Sequence, residues 1–400
     1  MSDVLTESEA AEFRERVRNF LGEHTDAKAA RDIDLQKKYF GKLAEAGLAG
    51  MTISTEYGGA GLTRKHDAIF REEVSNFPFM GGDFIISHGM CQPVLDDYGT
   101  EEQKKKYLPD NISGKTMWCQ MFSEPGAGSD VASLQSKAER DGDEFILNGQ
   151  KVWTTLAHVS DYAVLIARTD PEAVKHAGIS MFILDLRSDG VEIRPIHQID
   201  GGSHFNEVFF TDVRVPAENL LGELNNGWNQ ATAMLMYERV AIGTVGAGKI
   251  NTPNYRMLRH AAEAAGKLED KIVRQDLATI YSMEMTKSLV AMRTRAEMKA
   301  GKTPGPGGSL GKLFGSVIQW RMREILMNIA GPGSMAWEVG DEAAADLQKQ
   351  TVGSFSSSIA GGTDEIQRNI IGDRVLGLPR DISVDRGVPF KDLKVGTLRD

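Results

Sequence analysis

The sequence predicts an α+β fold: a helical N-terminal domain (1–116), a middle antiparallel β-domain (117–224) and a C-terminal helical domain with a polar tail (225–400). Three observations predict it. Apolar residues recur at helical spacing up to about residue 115, short alternating runs fill the middle, and long helical patterns return from Gly227. A length of 400 residues suggests two or three domains, with ample chain for a large core.

In the first region Phe13, Val17, Phe20 and Leu21 form one apolar stripe. Leu35, Tyr39 and Leu43 form a second that ends at Gly47, and Phe70, Val74 and Phe77 continue the pattern. In the middle, Glu144–Leu147 and Val152–Thr155 flank Asn148-Gly149, a hairpin signal. Tyr162–Ala167, Ile179–Leu186, Val191–Ile196 and Phe205–Val215 add strands, giving a small antiparallel barrel or sandwich. In the last region KTPGPGGSLG (302–311) breaks the chain between two helices, and the polar stretch after Pro379 reads as a surface extension.

Composition narrows the function. With 41% hydrophobic and 26% charged residues the chain is an ordinary globular protein. A net charge of −10 argues against a nucleic-acid partner. Lys104-Lys105-Lys106 is a tight basic run, but it follows two glutamates on an expected helix and reads as a solvated face. Cys91 and Cys119 are the only cysteines and no metal-ligand spacing occurs, so no metal site is expected. The acidic, polar start and the lack of an apolar run of roughly 20 residues predict a cytoplasmic protein with no membrane span.

Two stretches carry candidate chemistry. In 228–248, Glu238 and Arg239 are the only charges, and Glu238 has Met234, Leu235, Ala241 and Ile242 as helical neighbours. A carboxylate there is the polar edge of a helix, or a base whose proton affinity desolvation has raised. The second stretch, 118–134, contains Pro125-Gly126 and Gly128, a tight loop flanked by the hydroxyls of Ser123 and Ser129. It matches neither the Walker nor the dinucleotide fingerprint.

Six segments, EYGGAGL (56–62), YGTEEQKKKYLP (98–109), MFSEPGAGSD (121–130), NGQKVWTT (148–155), FNEVFFTDVRVP (205–216) and IAGGTDEIQRNIIGDRVLG (359–377), resemble the acyl-CoA dehydrogenase family in order and across nearly the whole chain. The resemblance implies a β-domain held between two helical domains, non-covalent FAD, and conversion of an acyl-CoA thioester to a trans-2-enoyl-CoA. It also implies electron transfer to an electron-transfer flavoprotein, or to oxygen as in related oxidases and monooxygenases. Gln120, Met121, Phe122 and Ser123 match the segment lining the flavin ring, and Ser129 a serine at the flavin phosphate or CoA side. Trp153 and Thr155 match the tryptophan and threonine beside the ring, and Thr363 and Glu365 the contacts to the FAD diphosphate and ribose.

The chain departs from the family in two places. Many relatives carry the catalytic base as Glu in Tyr-Glu-Gly-Thr. Here Ala360-Gly361-Gly362-Thr363 puts Gly361 at that substrate-facing position. Glu238-Arg239-Val240 instead matches the E-R-[LV] segment of isovaleryl- and long-chain-type enzymes. That resemblance implies Glu238 as the base and Arg239 near the CoA moiety. The adenine-end Arg-x-x-Phe-Gly motif is missing from 259–278, and NIAGPGS (328–334) stands where Gln-x-x-Gly-Gly is common. The expected assembly is a homotetramer built partly on the apolar stretch Gly315–Gly331, or a heterotetramer whose second chain supplies the absent contacts.

Overall fold

The computed structural model describes residues 5–243, 250–299, 307–335, 338, 340–380, 382 and 385–393. Five helices come first: α1 (Glu7–His24), α2 (Ile33–Glu45), α3 (Arg64–Val74), α4 (Gln92–Tyr98) and α5 (Glu101–Ile112). The α1 stripe is as expected, with Phe13, Val17, Phe20 and Leu21 all buried. On α2 the inner positions are Gln36, Tyr39 and Leu43, while Leu35 is exposed. Gln36 is accepted inside because its amide donates to Ala30 O and Asp83 Oδ2 and its carbonyl receives Asp83 N–H.

Two of the family segments prove architectural. In 98–109, Thr100 and Gln103 close a reciprocal cap at the start of α5. The Gln103 amide then donates to the carbonyls of Glu218 and Leu220, tying the helices to the strands. In 56–62 a Cβ on Gly59 would lie 2.3 Å from Ile53 O, so only glycine fits. The basic run is a solvated face, its lysines pairing with Glu101, Glu56 and Glu218.

The middle region forms one eight-stranded sheet among the described residues. Its strands are β1 (Trp118–Met121), β2 (Lys137–Asp141), β3 (Glu144–Thr155), β4 (Tyr162–Arg168), β5 (Ile179–Asp185), β6 (Val191–Pro195), β7 (Phe205–Pro216) and β8 (Leu220–Leu221). The order is β6-β7-β3-β2-β4-β5-β8, with β1 beside β4. The sheet is mixed rather than purely antiparallel, because β1 and β2 both run parallel to β4. Alternate residues of β4 and β5 enter two different cores. Val164, Ile166, Met181 and Ile183 meet the N-terminal helices, and Leu165, Ala167, Phe182 and Leu184 meet β3 and β7. Burial on both faces explains why these strands read as continuous apolar runs.

The hairpin expected at Asn148-Gly149 is not there. Glu144–Thr155 is one strand, and the β2–β3 turn falls at Gly142-Asp143, with Asp141 opposite Glu144. Asn148 bonds instead to Asp212 across an irregularity in the β3–β7 ladder. A Cβ on Gly149 would lie 2.6 Å from Ser136 Cα, so this glycine serves a close approach, not a turn.

Further helices are α6 (Gly227–Gly243), α7 (Pro253–Ala264), α8 (Lys271–Lys299), α9 (Gly307–Ala330), α10 (Glu342–Gly353) and α11 (Asp364–Arg374). The expected break at 302–311 lies largely outside the described residues, and α9 starts within it. The chain forms two compact units: Met1–His197 with Ser203–Ile242 and Ser383–Asp400, and Gln198–Gly202 with Gly243–Ile382. In the second unit Ile318, Met322, Ile325, Leu326 and Ile329 of the apolar stretch are buried, leaving Val317 and Trp320 as its exposed large apolar side chains. Most of that stretch therefore serves its own core. The polar tail is also not a free extension, since Phe390 is only 6% exposed.

Candidate active site

The 121–130 loop and the 148–155 strand are joined at one point, where Val152 N–H donates to Ser123 O at 2.9 Å. Beneath it the Lys151 ammonium donates to Phe122 O (3.1 Å) and Glu124 Oε1 (2.8 Å). Burial alone pushes the Glu124 carboxyl up. Lys151 and the donors at Gln135 and Ser136 outweigh this and hold it below its ordinary value. This pair fixes the loop to the strand, and the sequence reading missed it. Its signal was a lysine next to apolar Val152 in a strand otherwise alternating in and out.

Beyond Lys151 the β3–β7 register slips, so that two residues of β3 face one of β7. Trp153 sits in this bulge at φ 59°, a left-handed conformation rare for a bulky residue. The bulge turns its indole outward to 58% exposure, edge-on to Phe205 at 5.9 Å. A strained, exposed tryptophan is costly unless something covers it. Thr155 is half-buried next to it, and the Thr154 hydroxyl and Gln120 Nε2 are buried without hydrogen-bond partners. An uncovered indole suits a flat ring such as a flavin, and unpartnered polar groups on the neighbouring strands are available to polar edges.

The other expected residues fall as follows. The Met121 side chain is buried in the core among the strands and Phe122 in the core shared with the N-terminal helices, so at a ligand they offer backbone only. Ser123 is half-buried and Ser129 is exposed on the loop. Glu238 lies on α6 in the same compact unit, half-buried and not without a partner, one residue after Tyr237, whose hydroxyl donates to Asp97. The side chains of Arg239, Ala241 and Ile242 lie outside the described residues.

Gly361, Thr363 and Glu365 belong to the second unit. Gly361 and Gly362 have φ of 67° and 86°, and Thr363 caps α11 by accepting Ile366 N–H. Two carboxylates occupy the first turn, but Asp364 lies 3.5 Å from Lys312 Nζ and Glu365 3.4 Å from Arg368. The charge there is largely cancelled, and the N–H groups of the helix start can favour an anion. No group of residues able to hold a metal ion occurs among the described residues, and no described helix could cross a membrane.

A helical layer, a mixed sheet with a bulged tryptophan and a second helical unit define the class of the acyl-CoA dehydrogenase fold. Known proteins carry the same arrangement. The N-terminal, middle and C-terminal domain descriptions of acyl-CoA dehydrogenase match residues 7–115, 119–213 and 225–376. The chain is 34% identical to acyl-CoA dehydrogenase IpdE1 of Mycobacterium tuberculosis, over 92% of this chain and 98% of that protein. It is 28% identical to the mouse mitochondrial long-chain specific acyl-CoA dehydrogenase, over 91% and 86%. Among solved structures, the Tcur3481-Tcur3483 steroid ACAD superposes with a TM-score of 0.78 at 30% identity, over 95% of this chain and 100% of that one. The ChsE4-ChsE5 complex of M. tuberculosis gives 0.76 at 28%, with the same coverage. The chain belongs to the acyl-CoA dehydrogenase family. It is an oxidoreductase, and its activity is acyl-CoA dehydrogenation.

Proposed function

We propose that the chain binds FAD non-covalently and converts an acyl-CoA to its trans-2-enoyl-CoA, with Glu238 as the base. The observation that carries the cofactor reading is Trp153, held in a left-handed backbone conformation and 58% exposed on the bulged strand. When bound, FAD supplies the hydride acceptor that no side chain offers. Ser123, Thr155 and Gln120 orient it with their hydroxyls and amide, and Trp153 covers it. Glu238 takes the α-proton, and the apolar helix face around it keeps water from competing for that proton. Gly361 leaves space for substrate where relatives place a carboxylate. Arg239 offers a guanidinium to the CoA phosphates, Ser129 a hydroxyl on the same side, and Thr363 and Glu365 contact the diphosphate and ribose.

The domain limits we propose are 1–116, 117–224 and 225–400. The proposed electron acceptor is an electron-transfer flavoprotein, and peroxide release in air would favour an oxidase instead. Stoichiometric bleaching of the flavin by one of a panel of CoA thioesters, straight-chain, branched and steroid-like, tests the reaction. No bleaching by any of them would count against it. A second reading, a heterotetramer with a different dehydrogenase chain, is favoured by the missing adenine-end motif and by the likeness to the ChsE4-ChsE5 complex.

A further inference from the structure

The tail returns to the β-domain and grips it. Phe390 N–H donates to Ala173 O (2.8 Å) and Lys391 N–H to Pro171 O (3.0 Å), while Val174 pairs with Pro389 in an isolated bridge. Two buried cations lie under this segment. The Arg168 guanidinium donates to the carbonyls of Lys175 and Ala132, both at 2.7 Å, and its face meets the Phe390 ring at 3.6 Å. The Lys175 ammonium bridges Asp130 (2.6 Å) and Asp385 (2.8 Å). Asp130 directly follows Ser129. The Gly-rich loop is thus anchored twice, at Glu124 by Lys151 and at Asp130 by a cation that the tail shares.

We infer that segment 385–393 is a clasp that positions the Ser129–Asp130 end of this loop and thereby sets the affinity for the CoA part of the substrate. Lys175, Asp385 and Phe390 are its positioning residues. The inference rests on the reading of the loop as ligand-bearing. An exposed ion pair would contribute little to such a task. The Asp130 side chain is 59% exposed, but Lys175 is only 9% exposed and Arg168 4%, so the cation end of each contact lies where the tail replaces water. Without the tail, Lys175 keeps one carboxylate, and the Phe390 face opens Arg168 and its bond to Ala132 O to solvent. The Lys175–Asp130 contact then stands in water, with only the Ser133 hydroxyl beside it, so the second anchor of the Glu124–Ala132 loop is loosened and part of its ordering must be met from the ligand's binding energy.

The test compares the full-length protein with D385N/F390A, D385E and S129A. The readouts are amide hydrogen exchange across 126–133 and the Kd of free coenzyme A by calorimetry. D385N/F390A is expected to exchange faster in 126–133 with β5 unchanged, and to bind coenzyme A more weakly by on the order of tenfold. D385E should behave as the parent. Unchanged exchange in 126–133 would overturn the clasp. Faster exchange with unaltered coenzyme A binding would overturn its role in affinity. In that case S129A separates the causes: weakened binding in S129A leaves the loop reading standing, and unaltered binding removes it as well.

Discussion

Lys151 and Glu124 form an ion pair of 2.8 Å, with 0% and 6% of their side chains exposed, at the crossing of the 121–130 loop and the bulged strand. The carboxylate also accepts the backbone N–H groups of Gln135 and Ser136, so one pair fastens three segments. A buried pair of this kind is weak evidence of net stability but strong evidence of fixed geometry.

Removing one partner should therefore be severe. K151M leaves the Glu124 carboxylate buried without its counter-charge, and the expected loss is about 3–5 kcal/mol in urea unfolding. K151M/E124Q should recover part of that loss, because no uncompensated charge remains. A double variant as unstable as the sum of the two singles would show that the groups do not act as a pair.

Much of this was legible in the sequence. The α1 stripe followed from periodicity because burial on one face imposes that period, and the β4 and β5 runs followed because both their faces are buried. The features that escaped depend on partners remote in sequence. Gln36 lies inside because Asp83 is there to satisfy it. Asn148-Gly149 has the composition of a turn, yet Asp212 and Ser136 hold it in a strand. The tail looked like a surface extension because its one anchoring aromatic, Phe390, meets a cation more than two hundred positions earlier. Of the site, the motif segments were legible. The outward turn of Trp153 was not, since it comes from a register slip between β3 and β7.

Trp153 supplies the next test. Its left-handed backbone costs on the order of 1–3 kcal/mol, which glycine would relieve. W153G should leave the FAD-free protein no less stable than the parent, while FAD retention falls by roughly tenfold through loss of ring contact. FAD retention equal to the parent would remove the indole from the cofactor site.

The N-terminal helical region should be sensitive to acid. His88 packs edge-on to Phe40 at 4.3 Å and bonds to Asn111 O at 2.7 Å, and burial lowers its pKa from 6.5 to about 4. A folded-state pKa below the unfolded one means that the neutral ring is favoured in the fold. The contribution is therefore complete above about pH 6.5 and is lost as pH falls toward 4. At most about 3 kcal/mol is involved. Urea midpoints measured from pH 7 to 4.5 should fall less steeply for H88Q than for the parent, and equal slopes would exclude His88 as the titrating group.

E238Q tests the base. The amide keeps the shape of Glu238 but cannot accept a proton, so turnover should fall by about 10²–10⁴-fold. Flavin content and unfolding midpoint should stay at parent levels. Turnover like the parent's would take Glu238 out of the reaction.

The last prediction concerns how FAD is held at its anionic end. The sequence lacks the adenine-end arginine of its relatives, which raised the choice between a self-sufficient chain and one completed by a different partner. At the α11 start Thr363 already spends its hydroxyl on Ile366 N–H, and Asp364 adds negative charge. Lys312 offsets that charge from 3.5 Å, so the helix start keeps its backbone N–H groups and dipole with little net negative charge. Such a cradle can hold a diphosphate without an arginine. The chain purified alone should therefore be yellow, with FAD near one per chain, and should sediment as a tetramer. K312M should leave Asp364 uncompensated and release FAD on dilution, because the carboxylate would then repel the diphosphate. A colourless parent protein that takes up FAD only when co-expressed with a second dehydrogenase chain would decide for the heterotetramer.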